Sequence, residues 1–293
     1  MKAQFDNKVM SSLYLWFDHT LLKEGEAFTN YGSLFYPVNN LYQGYHTYGS
    51  PFRQFVADTS ISGDAARPNF GANIINEIYL DNVPKNRTES NFTGINYGQG
   101  QVYFTDEVDT NVKISGNYAI KDFNIFLTNE TEERLLFETQ FTLSNKISNT
   151  PAGLPPDSLT YPAIFIKNMG GFNEPFQFGG TDETIINSRA IIIADSQFGL
   201  DAVCSIFRDT TKEYIGILEE NEMPFNNLGD FNNYTDYNYT GITQSKIGTD
   251  NSIFIDSVNI SKIGGASFAG LNNVNPNIYS ALIDFELKKI RNT

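Results

Sequence analysis

The chain has two histidines, His19 and His46, and one cysteine, Cys204, as its conventional candidates for catalysis or metal binding. Neither histidine lies in a metal-binding spacing such as HExxH. His19 directly follows Asp18, after a segment, Ser12–Phe17, that we predict to be a strand. Adjacent side chains on a strand point to opposite faces, so the pair is not expected to act together. A structural role for His19 is therefore favoured over a catalytic one.

The cysteine falls within a helical pattern. Leu200, Val203, Cys204 and Phe207 are spaced i, i+3, i+4 and i+7, which predicts one apolar helix face. On that face Cys204 is expected to be a small core residue, not a nucleophile. A single cysteine also excludes an internal disulfide and disfavours a metal cluster held by thiolates.

The acidic residues provide the remaining candidate chemistry. The turn Asp106–Asp109 could bind a cation, but it lacks the DxDxDG form of an EF-hand loop and favours a charged turn. The Gly179-Gly180 pair belongs to no phosphate-binding motif, and no GxSxG is present. We therefore predict no catalytic, cofactor-binding or metal-binding residues, no cofactor and no enzymatic activity. Two acids that meet in a cleft, as in a glycosidase, are kept as a hydrolase hypothesis of last rank.

Two strand-to-helix units are expected to hold the fold together. The first is Tyr118–Phe141, in which a strand over Ala119–Leu127 leads into a short helix. Asn129 and Glu132 have the spacing of a capping box, and acidic residues in the first turn complement the positive helix end. The second unit joins an apolar strand, residues 190–194, to a helix over residues 198–207, with Asp195 and Ser196 as candidate caps. Together they predict a compact α/β core.

The rest of the chain contains frequent short strands separated by turn signals. We predict an α+β, β-rich fold, with a β-sandwich-like N-terminal region and a smaller α/β core of strand-helix units. The predicted regions are residues 1–117 (β-rich), 118–250 (α/β core with long loops) and 251–293 (C-terminal strands that return to the β region). Long polar loops are expected at Thr59–Asn73, Lys85–Gly100 and Asn226–Thr240, and the tyrosines of the last are expected to face a partner.

Composition limits the possible partners. The formal net charge is −14, which disfavours contact with nucleic acid phosphates or anionic lipid. The N-terminal residues lack the apolar region of a signal peptide and no segment is long enough to span a membrane, so synthesis in a cytoplasm is expected. Charged residues are only 18% of the chain, which indicates either a surface packed against neighbours or a biased genome composition.

Several segments resemble virion structural proteins of tailed bacteriophages, which lie in the neck or tail. These segments are 50–58 (SPFRQFVAD), 121–126 (KDFNIF), 162–166 (PAIFI), 175–180 (PFQFGG) and 200–210 (LDAVCSIFRDT). The strand-helix units also resemble the α+β cores of phage tail-terminator proteins. The resemblance implies a homo-oligomeric ring in the virion that contacts itself and other neck or tail proteins, with Thr59–Asn73 and Asn226–Thr240 as candidate interface loops.

A second function remains open. The tyrosine-rich stretches Tyr42–Tyr48 and Tyr234–Tyr239 are typical of surfaces that bind glycans or proteins. They suggest a receptor- or glycan-binding tail module. For the first stretch, aromatic side chains packed over a sheet edge are the favoured interpretation.

Overall fold

The computed structural model describes residues 4–63, 71–86, 91–138, 142–143, 158–177, 181–224, 236–263 and 278–291. The helices are α1 (Phe5–Lys23), α2 (Gln197–Arg208) and α3 (Tyr239–Thr243). The strands are β1 (Phe28–Tyr42), β2 (Tyr45–Gly49), β3 (Glu77–Leu80), β4 (Val83–Asn86), β5 (Phe92–Asn96), β6 (Gln101–Phe104), β7 (Ile114–Lys121), β8 (Asn124–Leu127), β9 (Thr142–Leu143), β10 (Ser158–Leu159), β11 (Ala163–Gln177), β12 (Thr181–Ala194), β13 (Tyr214–Gly216), β14 (Ser252–Ile263) and β15 (Tyr279–Arg291). None of these helices is long and apolar enough to cross a membrane.

The N-terminal strands form a seven-stranded sheet in the order β4-β3-β7-β1-β2-β6-β5. The long strand β1 joins its two halves, because residues 28–35 pair with β7 and the residues from Tyr36 onward pair with β2. Aromatic side chains fill the core beside this junction: the ring of Phe55 stacks on Tyr118 at 4.1 Å, and Phe35 packs against both. Such large side chains suit a half-buried pleated surface.

The second sheet has six strands in the order β13-β14-β15-β12-β11-β8. Only the β8–β11 pair is parallel among its described pairs. Its inner face is covered by α1 and α2, where Phe17 stacks on Phe207 at 4.1 Å and both contact Phe285. This arrangement confirms the strand-rich α+β class.

We call the opposite side of this sheet the outer face. Because side chains alternate along a strand, Phe165, Ile191 and Ile193 point to it, whereas Ala190 and Ile192 point to the helices. Leu135, from a short helical segment after β8, covers these outer residues at one end of the sheet. The remainder of the outer face carries charged and partly exposed side chains.

The predicted strand at Ser12–Phe17 is wrong, since these residues lie in α1. Residues 15–22 are all buried, because α1 packs against α2 and strands of the six-stranded sheet. A helix that is apolar on nearly all sides shows little 3.6-residue periodicity, so its sequence resembles a buried strand.

The first strand-helix unit differs from its prediction in two ways. Ala119–Leu127 belongs to two strands, β7 and β8, which lie in different sheets. The capping box at Asn129 is also wrong: helical turns begin at Glu132, and Thr131 Oγ1 accepts the hydrogen bond from Arg134 N at 3.2 Å. Residues 139–141, which we placed in this helix, lie outside the described residues.

The second unit follows its prediction closely. Ser196 is the N-cap of α2, where its Oγ accepts from Gly199 N at 3.1 Å. The four residues at helical spacing, Leu200, Val203, Cys204 and Phe207, are the buried residues of α2. The local pattern alone was sufficient here because a capped, amphipathic helix lies on one side of a sheet.

Two further expectations need correction. The predicted loop at Lys85–Gly100 contains β5, an edge strand that pairs with β6 and whose residues are mostly buried. The C-terminal strands β14 and β15, expected to return to the N-terminal β region, pair with β13 and β12 instead.

Residue 117, our first regional boundary, lies within β7. The three-part division of the chain stays a prediction.

Candidate functional site

The second half of α1 carries two buried ionisable residues, Asp18 and His19. Because removing a charge from water costs several kcal/mol, such groups need polar partners. Their partners come from distant parts of the chain: Asp58, Lys121 on β7, and Tyr237 just before α3. We call these five residues the ionic cluster.

Asp58 is the most completely buried member, with 0% of its surface exposed. Its Oδ2 lies 2.7 Å from His19 Nδ1. Its Oδ1 accepts hydrogen bonds from Ser60 N at 3.0 Å, Ser60 Oγ at 2.6 Å and Tyr239 N at 3.1 Å. Burial alone would raise the pKa of Asp58, but the bonds from His19 and Ser60 and the backbone of Tyr239 lower it overall. The carboxylate is therefore held in its charged form.

Asp18 forms the other half of the cluster. Lys121 Nζ lies 2.5 Å from its Oδ1, and the Tyr237 hydroxyl donates to its Oδ2 at 3.0 Å. Burial raises the pKa of Tyr237, and the nearby charges of Asp18 and Asp58 raise it further. Burial and Asp18 act in the same direction on the pKa of Tyr14. Both phenols therefore stay protonated and can donate.

Main-chain bonds connect the two halves. Tyr237 N donates to Ala57 O at 3.0 Å, and Thr59 N donates to Tyr237 O at 2.7 Å, which makes a parallel bridge beside Asp58. The cluster thus joins α1, β7, the turn Thr59–Ile61 and the segment before α3. The last two belong to the loops that we predicted as interfaces, Thr59–Asn73 and Asn226–Thr240. Residues 64–70 and 226–235 of those loops lie outside the described residues.

The cluster does not have the geometry of a nucleophilic triad. Ser60 Oγ lies 3.4 Å from His19 Nδ1, the same ring nitrogen that faces Asp58. In a Ser-His-Asp triad the serine and the acid bind opposite nitrogens of the imidazole. The imidazole ring is stacked on Tyr239 at 4.5 Å. The ionic cluster can instead hold four chain segments together.

The other residues that the sequence singled out are dispersed. His46 lies on β2, opposite Phe104 on β6. Burial raises the pKa of the Cys204 thiol, which makes it a poor nucleophile, and its predicted core position is confirmed. Asp109 accepts from Asn111 N and Nδ2, both at 2.9 Å, within the turn after β6. Across the part of the chain that is described, no three His, Cys, Asp or Glu side chains are placed to hold a metal ion.

The described tyrosines of the two tyrosine-rich stretches include one that stacks on a neighbouring ring and several that are buried. Tyr42 stacks on Tyr103 at 5.1 Å, and the buried Tyr48 accepts a hydrogen bond from Val108 N at 2.9 Å. Tyr237 and Tyr239 are buried in the ionic cluster, so the expectation that they face a partner is wrong. Sequence contained one usable signal for the cluster: Lys121 follows the apolar residues of β7 and so calls for a buried counter-charge.

The outer face of the six-stranded sheet is the second candidate site. A row of side chains crosses five strands in register, namely Phe172, Ile185, Lys288, Phe254 and Tyr214. Phe172 is 54% exposed and Tyr214 is 49% exposed, at the two ends of the row. Tyr214 packs on Phe254 at 5.0 Å, and Lys212 Nζ lies 5.3 Å from the centre of the Phe254 ring.

Ion pairs flank this aromatic row. Arg189 holds Asp284 through two bonds, of 2.6 and 3.0 Å, and Glu132 through a third of 3.1 Å. Asp256 lies 2.6 Å from Lys212 and 2.8 Å from Lys288. The bond to Lys212 and then that to Lys288 lower the pKa of Asp256. We call these residues the surface ion pairs.

No family model matches the sequence, and no curated protein matches it.

Proposed function

We propose that this protein is a structural component of a tailed phage virion, which forms a homo-oligomeric ring of the tail-terminator or connector type at the head–tail neck or in the tail. It would be made in the host cytoplasm, reside in the virion and contact other neck or tail proteins. The proposal assigns it no catalysis and no cofactor. It rests on the resemblance of several short segments to phage virion proteins. It also rests on the exposed side chains on the outer face of the six-stranded sheet.

The outer face is the observation that carries the proposal. A sheet surface with exposed aromatic side chains at Phe172 and Tyr214, and with Ile290 also exposed, is typical of a protein contact surface. Its aromatic residues are of the type that enrich the centres of interfaces. The charged groups around them are already paired with one another, so a partner could cover the row without leaving those charges unpaired.

An open strand edge adjoins this face. Strand β8 covers only Ala163–Ile166 of β11, and β12 is the sole described partner of the residues that follow. Glu174 is the only charged residue from Asn168 to Gln177. The edge strand β4 carries Pro84 and Lys85, which discourage pairing with another chain. Bulges on either side leave Gly171–Pro175 as the regular portion of the β11 edge, in which Pro175 lacks an N–H donor and the four residues before it can pair.

Two finer points belong to the same proposal. We suggest that the two halves of the seven-stranded sheet pack in a sandwich-like manner about the aromatic residues beside β1. The net charge of −14 would let DNA pass a ring without binding, through like-charge repulsion. No sequence-specific nucleic acid contact and no membrane contact are proposed.

The mass of the native protein tests the proposal directly. Native mass spectrometry and light scattering are expected to show a closed oligomer of one defined size, and purified particles are expected to contain the protein. Phe172→Ser should shift the oligomer toward monomer. Phe198→Ser is the matched control, because Phe198 is an exposed phenylalanine on α2, away from the outer face. A strictly monomeric protein that is absent from purified particles would refute the proposal.

The receptor- or glycan-binding alternative stands second. Its motivation was the tyrosine-rich stretch Tyr234–Tyr239, of which Tyr237 and Tyr239 are buried. In the other stretch, Tyr48 is buried and Tyr42 is stacked on a neighbouring ring. Buried phenols cannot form a glycan platform, so no observation on the described residues favours this function over assembly.

A further inference from the structure

The segment Asp236–Tyr239 contacts the body of the protein through the ionic cluster, through main-chain bonds and through packing of the Tyr237 and Tyr239 rings in the core. Its main-chain bonds run to Ala57, Thr59 and the side chain of Asp58. Its side chains add the Tyr237 bond to Asp18 and the stacking of Tyr239 on His19. Two buried carboxylates, Asp18 and Asp58, therefore accept part of the hydrogen bonds that attach the segment.

We infer that the ionic cluster is an acid-sensitive latch, which holds the segment Asp236–Tyr239 against the turn Thr59–Ile61 and releases it locally when Asp58 loses its charge. The latch is a property of the described fold and does not depend on the proposed role in a virion. Its failure would leave the assembly proposal untouched, and the reverse is also true.

The geometry around Asp58 explains the sensitivity to acid. Ser60 N, Ser60 Oγ, Tyr239 N and His19 Nδ1 all converge on its two oxygens. A protonated carboxyl accepts fewer hydrogen bonds, and the main-chain N–H groups of Ser60 and Tyr239 can only donate. Protonation therefore weakens the bonds of these donors in a buried site, where an unsatisfied group is costly.

The groups that surround Asp58 include direct partners and charges one contact further away. Helix α1 contributes His19 as a direct partner, whereas Asp18, with Lys121 of β7 and Tyr14 beside it, lies one contact further away. The turn contributes Ser60, and the segment itself contributes Tyr237 and Tyr239. Burial raises the pKa values of the three tyrosines, so they remain neutral in acid. Loss of the Asp58 charge weakens the acceptor that Ser60 N and Tyr239 N share, so the attachment weakens as the pH falls.

The release is expected to be local because other contacts hold the core. The six-stranded sheet and its helices pack through Phe17, Phe207 and Phe285, none of which depends on Asp58. Beyond Tyr239 the chain is fixed independently, since Lys246 pairs with Glu222 at 2.6 Å. Opening of one short segment at a free energy below that of global unfolding is common in native proteins.

Hydrogen exchange with mass spectrometry tests the latch on the full chain. Asp58→Asn, at neutral pH, is expected to raise exchange at Tyr237 and Tyr239 by at least roughly tenfold, while β12 and β15 are unchanged. Asp256→Asn, which makes the same change among the surface ion pairs, is the matched control and should leave the segment unchanged. Equal acceleration in all regions, or none at Tyr237 and Tyr239, would overturn the inference.

A second measurement covers the case in which Asp58→Asn does not fold. The wild-type protein is followed by hydrogen exchange from pH 7 downward, with correction for intrinsic rates, and by far-UV circular dichroism on the same samples. Local exchange in residues 236–239 is expected to rise before the secondary structure is lost. Coincidence of the two transitions would show that no separate latch exists.

Discussion

The ionic cluster and the surface ion pairs use the same chemistry in different surroundings. Lys121 Nζ lies 2.5 Å from Asp18 Oδ1, and Arg189 Nε lies 2.6 Å from Asp284 Oδ1, so the distance does not distinguish the two pairs. Exposure to solvent does distinguish them, because the exposed fraction of the side chains is 10% and 2% in the first pair but 27% and 40% in the second. A buried charge that loses its partner has no water to replace it, whereas an exposed one does. The cost of removing one member of an ion pair therefore depends on whether water can solvate the member that remains.

The largest effect is expected for Lys121→Met, which leaves the buried Asp18 carboxylate without its cation. We expect the free energy of unfolding to fall by about 3–5 kcal/mol. Urea denaturation with a two-state fit measures it. Adding Asp18→Asn to Lys121→Met should recover part of the loss, because the buried charge is then removed as well. A loss below about 1 kcal/mol for Lys121→Met would place this pair with the surface ion pairs and end the distinction.

The second-largest effect is expected at Asp58, whose contribution to the free energy of unfolding should depend on pH. Since the pKa of Asp58 is lowered in the folded protein, its contribution to stability is complete above the pKa of the unfolded chain and is lost as the pH falls through the folded value. Removal of the charge by Asp58→Asn should cost about 1.5–3 kcal/mol at neutral pH.

The measurement is the free energy of unfolding of wild type and Asp58→Asn from pH 7 downward. The difference between the two proteins should shrink toward acid, because the wild-type carboxyl becomes neutral as well. A difference that stays constant with pH would mean that the charge of Asp58 contributes nothing and that only its shape matters.

Local sequence accounted for some elements of the fold and not for others. The α2 unit was predictable because its cap, Ser196, and its four core residues lie within twelve positions of one another. The helix α1 was not, since burial on nearly all sides removes the amphipathic signal. In the first unit, β7 and β8 are separated by only two residues yet enter different sheets, a choice made by tertiary contacts.

Apart from the position of Lys121 in an apolar strand, the sequence contains no local signal for the ionic cluster. Asp18, Asp58, Lys121 and Tyr237 are brought together by a parallel bridge and by helix packing, neither of which has a local signature. The strand predicted before Asp18 and His19 would place their side chains on opposite faces. In α1 the two residues have different ionic partners: His19 binds Asp58, and Asp18 binds Lys121.

A smaller effect is expected for Arg189→Met on the outer face. The arginine is shared by Asp284 and Glu132, and its bidentate geometry makes it the strongest candidate among the surface ion pairs. We expect a loss of about 1 kcal/mol at low salt, falling toward zero in molar salt as the charges are screened. Urea denaturation at two ionic strengths measures this. A loss of 3 kcal/mol or more, insensitive to salt, would show that the outer face is effectively buried.

The smallest effect is expected for Lys212→Met, the same substitution as Lys121→Met at an exposed site. Lys212 pairs with Asp256 at 2.6 Å, but its side chain is 59% exposed, and Lys288 also holds that carboxylate. Asp256 therefore keeps a cation and gains water, and methionine retains contact with Phe254. We expect a change within about 0.5 kcal/mol in urea denaturation. If Lys212→Met instead destabilised the protein as much as Lys121→Met, burial would not be what separates the two groups of ion pairs, since the substitution and the starting distances are nearly matched.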